Sequence, residues 1–349
     1  MITGEVELEM KNLVIAFVAA AAACSAFGVE ISPILEGKLA AFSFTYDDGA
    51  YSHYTTALPM HLKYGLPATF LIITDRVEPD GEGRAKKYCS WSEICEMAGK
   101  GMEMASHTKT HRNMRELESA GLTREQMKGK TRAELFAMRE PNWPTVWSEI
   151  ALSREALESH TGQKVRTFAF AGNAFPDWTG RIIGEARIYT RGNIRIATGR
   201  TDTEEGYRKQ LDEKIVVSNN VSCCMIHGVG TGDGGDGWNP IPSVEVYESL
   251  LRLVAERRDR LHVDTFGNNA AYKARARNTR LVPVADKPGE YSLVFAEKPK
   301  DICEPGEIWL RLASGEKVEV NGKPAEPNAQ NAVLAHTGDT IIDISPGVL

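Results

Sequence analysis

The segment Leu39–Gly49 reads Leu-Ala-Ala-Phe-Ser-Phe-Thr-Tyr-Asp-Asp-Gly, a short apolar run that ends in two adjacent carboxylates and a glycine. The apolar part, Leu39–Phe44, predicts a buried β-strand. Adjacent carboxylates at the end of a strand rarely serve packing, because two buried like charges repel and need a cation or a proton. Asp47 and Asp48 therefore indicate a site where one carboxylate binds a metal and the other acts as a base. A solvated Asp-Asp-Gly turn is the alternative.

Further apolar runs follow along the chain, and amphipathic segments separate several of them. Alternation of this kind implies parallel strands joined by crossover helices. We therefore predict an α/β fold, a distorted (β/α)7-type barrel, over residues 29–275. Its strand candidates are Leu39–Phe44, Thr69–Ile73, Met102–Ser106, Val165–Phe170, Ile188–Ile196, Val221–Ile226 and Leu261–Asp264, and its clearest helix candidates are Trp91–Gly99, Ser148–Thr161 and Ser243–Arg258.

The composition changes after Lys273. A polar, basic stretch is followed by short strand patterns alone, separated by turn signals such as Asn321-Gly322. Such spacing is typical of a small all-β domain. Residues 276–349 are therefore predicted to form a β-sandwich-like module, with strands at Leu281–Val284, Tyr291–Phe295, Ile308–Leu312, Lys317–Val320, Ala332–His336 and Thr340–Ile344.

The first 28 residues have the pattern of an export signal. Lys11 precedes a short apolar stretch with an alanine run, and the small residues of Ala26-Phe27-Gly28 follow. The apolar run is shorter than the roughly 20 residues that span a membrane. We predict an upstream extension and a cleaved signal peptide over residues 1–28, and a secreted or periplasmic mature protein without a membrane span. Lipidation at Cys24 is the less favoured alternative.

Charge and cysteine content narrow the expected partners. The formal net charge is -6, and no long Lys/Arg-rich run is present. Because phosphate binding needs a concentrated basic face, a nucleic acid is not an expected partner. A disulfide is permitted in an exported protein, and Cys89 with Cys95 is the local pair that we consider.

A pair of histidines follows the third apolar run. His107 and His111 are four residues apart, a spacing that puts both imidazoles on one face of a helix, close enough to share a cation. Two histidines and one carboxylate with open positions suit a catalytic zinc site. In combination with Asp48, this pattern favours metal ligation over two unrelated surface histidines.

His227 closes the sixth strand candidate, Val221–Ile226. It therefore lies on the same rim as the other motifs, and catalytic groups gather at the C-terminal rim of a barrel of parallel strands. This shared position favours a functional role over that of an ordinary core histidine. A glycine-rich segment follows, and its Trp238 offers either a stacking face for a sugar ring or a cover for the barrel mouth.

Together these motifs resemble those of the NodB-type polysaccharide deacetylases, carbohydrate esterase family 4. The resemblance covers residues 40–273 and lies in Ser43–Gly49, Gly65–Phe70, Gly101–His111 and Met225–His227, whose order and separations are those of the family. It implies a distorted (β/α) barrel that hydrolyses acetamide or acetyl ester groups on sugars.

The resemblance also implies a role for each site residue. Asp48, His107 and His111 would hold a divalent cation, with Zn²⁺ favoured and Co²⁺, Ni²⁺ or Mn²⁺ as alternatives, and this cation lowers the pKa of a bound water. Asp47 would take the proton of that water as it attacks the acetyl carbonyl, and His227 would protonate the leaving sugar atom. The cation and one backbone N–H would stabilise the oxyanion.

Two motifs depart from the family pattern. Ala169 stands where the third motif has the arginine that holds the base, so Ala169 cannot orient Asp47. A replacement arginine would have to come from elsewhere, and the sequence does not identify it. Gly172 of the same motif remains a candidate for substrate binding, together with Trp238. The fourth motif, an aspartate that tunes the acid histidine, has no clean counterpart, and Asp202 is the nearest candidate.

An acetylated polysaccharide or oligosaccharide is the expected substrate. We favour acetyl ester removal from a plant polysaccharide such as xylan, because an ester leaves more readily than an amide and a loosely held base suffices for it. The alternatives are N-deacetylation of glycans that contain N-acetylglucosamine, such as chitin oligomers or peptidoglycan, a metal hydrolase for a non-sugar amide, and a carbohydrate-binding pseudoenzyme. Among the other histidines, His53 follows the Asp-Asp motif closely and is the one to test.

Overall fold

A computed structural model of the chain describes residues 28–80, 86–230, 236–299 and 302–343. Residues 1–27 lie outside the described residues, and with them nearly all of the predicted extension and signal peptide and the alternative lipidation site Cys24. None of the described helices is both long enough and apolar enough to cross a membrane.

Strands and helices alternate in the first two thirds of the chain, and strands alone follow. The strands are β1 (Val29–Ile31), β2 (Ala40–Tyr46), β3 (Ala68–Ile72), β4 (Glu103–Ser106), β5 (Thr167–Phe168), β6 (Tyr189–Thr190), β7 (Ile194–Ala197), β8 (Val221–Ile226), β9 (Leu261–Val263), β10 (Thr279–Pro283), β11 (Glu290–Phe295), β12 (Glu307–Leu312), β13 (Val318–Val320), β14 (Lys323–Pro324), β15 (Ala332–His336) and β16 (Thr340–Asp343). The α-helices are α1 (Leu58–Tyr64), α2 (Trp91–Gly99), α3 (Met114–Glu118), α4 (Arg124–Met127), α5 (Arg132–Arg139), α6 (Trp143–Thr161), α7 (Thr179–Ala186), α8 (Glu204–Gln210), α9 (Val244–Ala255) and α10 (Phe266–Arg277).

The chain divides into two compact units. The larger is Ala40–Ala270, and the smaller combines Met1–Leu39 with Ala271–Leu349. The division falls inside α10, whereas the sequence analysis placed the start of the second domain at residue 276. The basic stretch around residue 276 is the C-terminal end of this helix. Strand β1 pairs with β12 and belongs to the smaller unit, whereas the sequence analysis grouped it with the barrel.

A parallel sheet forms the centre of the larger unit. Its strand order is β6-β5-β4-β3-β2-β8-β7, and β9 pairs with the first half of β2. The sheet curls into an incomplete barrel, which confirms the predicted distorted (β/α) fold. Because the strands are parallel, the C-terminal ends of β2, β4 and β8 meet at one rim.

Strand β2 is buried along its whole length. Side chains alternate between the two faces of a strand. Phe42, Phe44 and Tyr46 therefore share the face that packs in the apolar core with residues of α1, α2 and α9. Thr45 lies on the opposite face, inside the curled sheet, and the same alternation directs Asp47 to the interior.

The predicted fifth strand, Ile188–Ile196, forms two short strands instead of one. Strand β6 pairs with β5, and β7 pairs with β8, so the two strands lie at opposite ends of the sheet. The segment between them, Arg191 to Asn193, bridges the open side of the barrel. Asn193 has a φ of 54°, which is incompatible with one continuous strand.

The smaller unit contains two antiparallel sheets, β1-β12-β15 and β10-β11-β16-β13-β14. They share a core in which Ile308 and Leu310 of one sheet accompany Leu293 and Ile341 of the other, as expected of a sandwich. At the turn signal Asn321-Gly322, φ values of 53° and 71° produce a two-residue hairpin between β13 and β14.

The cysteine thiols are free among the described residues. Cys89 Sγ donates to the Ala50 carbonyl at 3.3 Å, and Cys95 Sγ donates to the His160 carbonyl at 3.2 Å. The local pair that we considered is therefore not a disulfide in this structure.

Candidate active site

The two adjacent carboxylates lie where the chain turns sharply at the end of β2. The Asp47 N–H donates to the Ile226 carbonyl at 2.8 Å, which extends the pairing of β2 with β8 by one residue. Asp48 and Gly49 then have φ values of 81° and 75°. This left-handed conformation is costly for an aspartate, and such strain is concentrated at functional sites. In this turn the Asp47 side chain is buried, at 2% exposure, and the Asp48 side chain is half-buried.

The histidine pair lies on a loop, so the helical arrangement suggested by its spacing is wrong. The His107 N–H still pairs with β3, through the Ile72 carbonyl at 2.9 Å. Thr108 and His111 then have φ values of 69° and 65°, and the Thr108 hydroxyl accepts the His111 N–H at 2.8 Å. This tight loop brings the two imidazole centroids to 4.8 Å, so the rings meet without a helix.

A buried glutamate of α6 holds this loop. The Glu149 carboxylate accepts from the Thr110 N–H at 2.8 Å and from the Thr110 hydroxyl at 2.7 Å. Its backbone carbonyl accepts the Lys109 N–H at 2.9 Å. We did not predict this residue. Its position in the sequence could have identified it, because Glu149 shares the buried face of its helix with the apolar residues Val146 and Ile150.

Asp48, His107 and His111 come together as a candidate metal centre. Asp48 Oδ1 is 3.7 Å from His107 Nε2 and 3.4 Å from His111 Nε2. One ligand atom from each of the three residues lies within 4.8 Å of the others. Such separations suit atoms that share a small cation, since zinc bonds to N and O are about 2.0–2.2 Å.

The chemistry of these donor groups fits a divalent cation. Asp48 Oδ1 is buried without a hydrogen-bond partner among the described residues, a costly state that a cation would relieve. Nδ1 of His107 donates to the Ala169 carbonyl at 2.9 Å, which leaves the Nε2 lone pair free for a metal. Burial lowers the pKa of His107 to about 4, and burial and the Arg76 charge lower the pKa of His111, so both rings are neutral at pH 7.

Arg191 supplies the charge that Ala169 lacks. Its Nη1 donates to Asp47 Oδ1, and its Nη2 donates to Asn173 Oδ1 at 3.2 Å. The guanidinium is buried. The sequence analysis left the source of a replacement arginine open, and it comes from the segment that bridges β6 and β7. Ala169 itself is buried against Leu71 and Ala105, where a long side chain would not fit.

Arg191 also sets the charge state of Asp47. Burial by itself would raise the pKa of this carboxyl group. The charge of Arg191, its hydrogen bond and the nearby rings of His107 and His227 outweigh that effect and hold the pKa below its ordinary value. Asp47 is therefore ionised at neutral pH. By contrast, burial and the charge of Asp47 raise the pKa of Asp48, as expected for two close carboxylates.

His227 faces the same carboxylate from the end of β8. Its Nε2 lies 4.0 Å from Asp47 Oδ2. Its Nδ1 is buried without a hydrogen-bond partner among the described residues. Asp202 does not supply one, because its carboxylate accepts from the Gly199 N–H and the Tyr207 hydroxyl, each at 2.8 Å. The structure thus contradicts Asp202 as the group that tunes His227.

The site opens into a cleft of about 730 Å³. Gly172 and Trp238, the two predicted substrate-binding residues, both line it, and the Trp238 ring packs edge-on against His227 with centroids 4.7 Å apart. His53 does not line it. It is buried beneath the site, and its Nε2 lies 3.2 Å from the His227 carbonyl. The sequence analysis did not single out Arg76 and Lys87, which also line the cleft.

Solved structures of low sequence identity share part of this fold. A family 4 acetyl xylan esterase from Clostridium thermocellum, in complex with a cobalt ion, is 15% identical with a TM-score of 0.43, over 66% of this chain and 89% of its own. Peptidoglycan deacetylase PdaC from Bacillus subtilis is 11% identical with a TM-score of 0.43, over 68% and 93%. A family 4 pseudoenzyme from Bacillus anthracis is 15% identical with a TM-score of 0.40, over 65% and 64%. Similarities at this level say nothing about the substrate of this chain.

The sequence comparisons are more specific about the family. No curated protein sequence matches the chain. The family model for polysaccharide deacetylase matches residues 37–189, a range that contains Asp47, Asp48, His107 and His111 and ends before Arg191. As the motifs predicted, this segment of the chain matches the polysaccharide deacetylase family.

Proposed function

We propose that the larger unit is a hydrolase that depends on a divalent cation and removes acetyl groups from a carbohydrate. This proposal depends on one observation. The carboxylate of Asp48 and the neutral imidazoles of His107 and His111 lie together, beside the Asp47–Arg191 ion pair. A cation site next to an ionised, oriented carboxylate is the arrangement that hydrolysis of an acyl group requires.

Asp48, His107 and His111 would hold the cation. Zn²⁺ is the favoured ion, because two imidazoles and one carboxylate with open positions form a typical catalytic zinc site. When bound, the cation would polarise the acetyl carbonyl and make a water molecule more acidic.

The remaining groups of the site divide the proton transfers. Asp47, ionised and held by Arg191, accepts a proton from the attacking water as the C–O bond to the acetyl carbon forms. His227 donates a proton to the sugar oxygen as the bond between that oxygen and the acetyl carbon breaks. The products are acetate and a free sugar hydroxyl group. His227 Nε2 lies 4.0 Å from Asp47 Oδ2, so both groups reach the same part of the cleft.

Among acetylated glycans we favour an acetyl ester, as on xylan, over an N-acetyl group. The pKa of Asp47 is lowered, and a weaker base provides less driving force for proton transfer. An ester, whose leaving group departs more readily than that of an amide, tolerates such a base better. N-acetylglucosamine glycans, namely chitin oligomers and peptidoglycan, are the alternative substrates.

An acetate-release panel tests this proposal. The apoprotein is loaded in turn with zinc, cobalt, nickel and manganese, its metal content is measured by plasma mass spectrometry, and each form is given acetylated xylan and N-acetylglucosamine oligomers. We expect acetate from acetylated xylan with at least one metal. Release from the N-acetylated oligomers alone would reverse the choice of substrate. Bound metal without acetate from any glycan would instead indicate a carbohydrate-binding pseudoenzyme.

We also propose that the protein is exported. The basis is the signal-like pattern of residues 1–28. N-terminal sequencing of the protein from the culture medium or periplasm should find a mature chain that starts close to residue 29. A lipid-modified Cys24 at the N-terminus would favour the lipoprotein alternative.

A further inference from the structure

Two cationic side chains in the cleft form no ion pair with a carboxylate of the described residues. Arg76 and Lys87 both line it, together with the candidate metal ligands Asp48 and His111. Neither forms an ion pair within the part of the chain that the structure describes. Two carboxylates close to Arg76 in the chain have other partners: Asp75 binds the Lys109 ammonium at 2.7 Å, and Glu78 accepts the backbone N–H groups of Lys87 and Tyr88 at 2.9 and 3.1 Å.

Arg76 is half-buried and held in position. Its Nη1 donates to the Tyr88 hydroxyl at 3.2 Å, and its guanidinium carbon lies 5.6 Å from the centre of the Tyr88 ring. It lines the same cleft as the candidate metal ligands Asp48 and His111. A fixed guanidinium so near a cation site is unfavourable unless an anion lies between or beside them.

The charge of the whole cleft favours the same kind of ligand. Asp47 is neutralised by Arg191, and a bound divalent cation would more than offset the single negative charge of Asp48. Arg76 and Lys87 therefore leave the cleft positively charged when the cation is in place. A guanidinium recognises a carboxylate through two parallel hydrogen bonds, and Trp238, 66% exposed at the rim, offers a face for a sugar ring.

We infer that the substrate is an acidic glycan, in which a carboxylate-bearing sugar lies beside the acetylated one and binds Arg76 and Lys87. This inference rests on the proposed function and narrows its substrate class. The carboxylate belongs to a uronic acid, as on a glucuronic acid-substituted xylan, or to the free lactyl group of a muramic acid that has lost its stem peptide. Both present a planar anion next to a sugar ring.

Matched substrates test the inference. Acetylated xylo-oligosaccharides that carry glucuronic acid are compared with the same oligosaccharides after removal of the uronic acid, and with peptide-free muramic acid oligosaccharides whose lactyl carboxylate is free. We expect the KM of the wild-type protein to be about tenfold lower for one of the two acidic substrates than for the neutral one. That advantage should shrink at high salt. An equal KM for acidic and neutral substrates would overturn the inference.

Substitutions of Arg76 and Lys87 test whether these two side chains cause the lower KM for acidic substrates. Arg76→Gln should raise the KM for the acidic substrate about tenfold more than the KM for the neutral one, and Arg76→Lys should fall between Arg76→Gln and wild type. Lys87→Gln should give a smaller increase, because Lys87 is exposed. Lys209→Gln, which removes an exposed charge on α8, serves as the control. All assays use saturating cation and measured metal content, because the loss of Arg76 removes a positive charge from the cleft that holds the candidate metal centre. Equal changes on acidic and neutral substrates would contradict carboxylate recognition.

A binding measurement separates this inference from the proposed function. If no glycan releases acetate, the proposed function fails, and calorimetry with the same acidic and neutral oligosaccharides still tests recognition. A preference for the acidic oligosaccharide that disappears in Arg76→Gln would support the inference without catalysis. Equal affinities would overturn it.

Discussion

At the scale of single residues, the contact that most determines the site is the buried ion pair of Asp47 and Arg191. Both side chains are almost inaccessible to solvent. Removing one partner of such a pair leaves an uncompensated buried charge, which commonly costs about 3–5 kcal/mol. Arg191 therefore has two separable effects, one on stability and one on the protonation of the base.

Arg191→Gln should reveal both effects. We expect the free energy of unfolding to fall by about 3 kcal/mol and kcat/KM to fall about 100-fold. Because Arg191 lowers the pKa of Asp47, its loss should raise that pKa and move the acidic limb of the kcat/KM profile to higher pH. Arg195→Gln, which removes an exposed arginine of β7, is the matched control. An acidic limb that stays in place would show that Arg191 does not act on the base.

The two adjacent carboxylates should respond differently to substitution. Asp48→Ala and His107→Ala should lose metal and activity together, because each removes a ligand atom of the candidate centre. Asp47→Asn should retain the metal and lose turnover, because the isosteric amide cannot accept the proton. The measurement is metal content per chain beside acetate release. Equal metal loss in all three variants would mean that the roles are divided wrongly.

At the scale of elements, two glycines allow the segment after His227 to cross close to β8. A Cβ atom at Gly237 would lie 2.2 Å from the His227 carbonyl oxygen, and one at Gly228 would lie 1.5 Å from the Asp236 carbonyl oxygen. His53 contacts the His227 carbonyl from the other side. The position of the His227 ring therefore depends on a backbone crossing that only glycine permits.

Gly237→Ala should displace His227 while leaving the metal centre intact. We expect normal metal content and at least a tenfold lower kcat, because the acid imidazole moves away from Asp47. Gly121→Ala is the control, since Gly121 has a similar φ of 78° but open space around it. It should show only the strain of a left-handed alanine, about 1 kcal/mol. If both variants retain full activity, the crossing does not position His227.

At the scale of the whole molecule, the larger unit buries a histidine that must stay neutral. His61 is inaccessible to solvent, its Nδ1 donates to the Leu66 carbonyl at 2.8 Å, and its Nε2 accepts from the Tyr46 hydroxyl at 2.6 Å. Burial lowers its pKa to about 4. An ordinary histidine of the unfolded chain has a pKa of about 6.5. The unfolded chain therefore binds a proton that the folded chain excludes between these two values.

Stability should therefore fall with acid in a window set by His61. Its contribution is fully present above pH 6.5 and is lost as the pH falls towards 4, by about 2 kcal/mol between pH 7 and pH 5. His61→Gln keeps one donor and one acceptor but does not titrate. We expect this variant to be less stable than the wild type at pH 7. Between pH 7 and pH 5 its free energy of unfolding should fall by about 2 kcal/mol less than that of the wild type. Urea unfolding followed by circular dichroism measures both values. Parallel losses in the two proteins would contradict this account.

What the sequence by itself determined is the order of strands and the residues that follow them. Strand patterning is local, since a buried parallel strand needs only a short apolar run and a turn signal after it. Asp48, His107 and His227 each follow such a run, and parallel strands bring their ends to one rim. The candidate metal ligands and the principal acid and base candidates were therefore named from the sequence.

Only the tertiary structure decided which side chains meet across the barrel. Arg191 reaches Asp47 from 144 positions away in the chain, through a segment that bridges the open side of the sheet. Arg76 and Lys87 gather in one cleft without any basic run in the sequence, Glu149 holds the histidine loop from a helix, and Asp202 is occupied by its own neighbours. The physical reason is that the curvature of the sheet and the left-handed turns at Asp48, Thr108 and His111 set these contacts, and neither follows from periodicity along the chain.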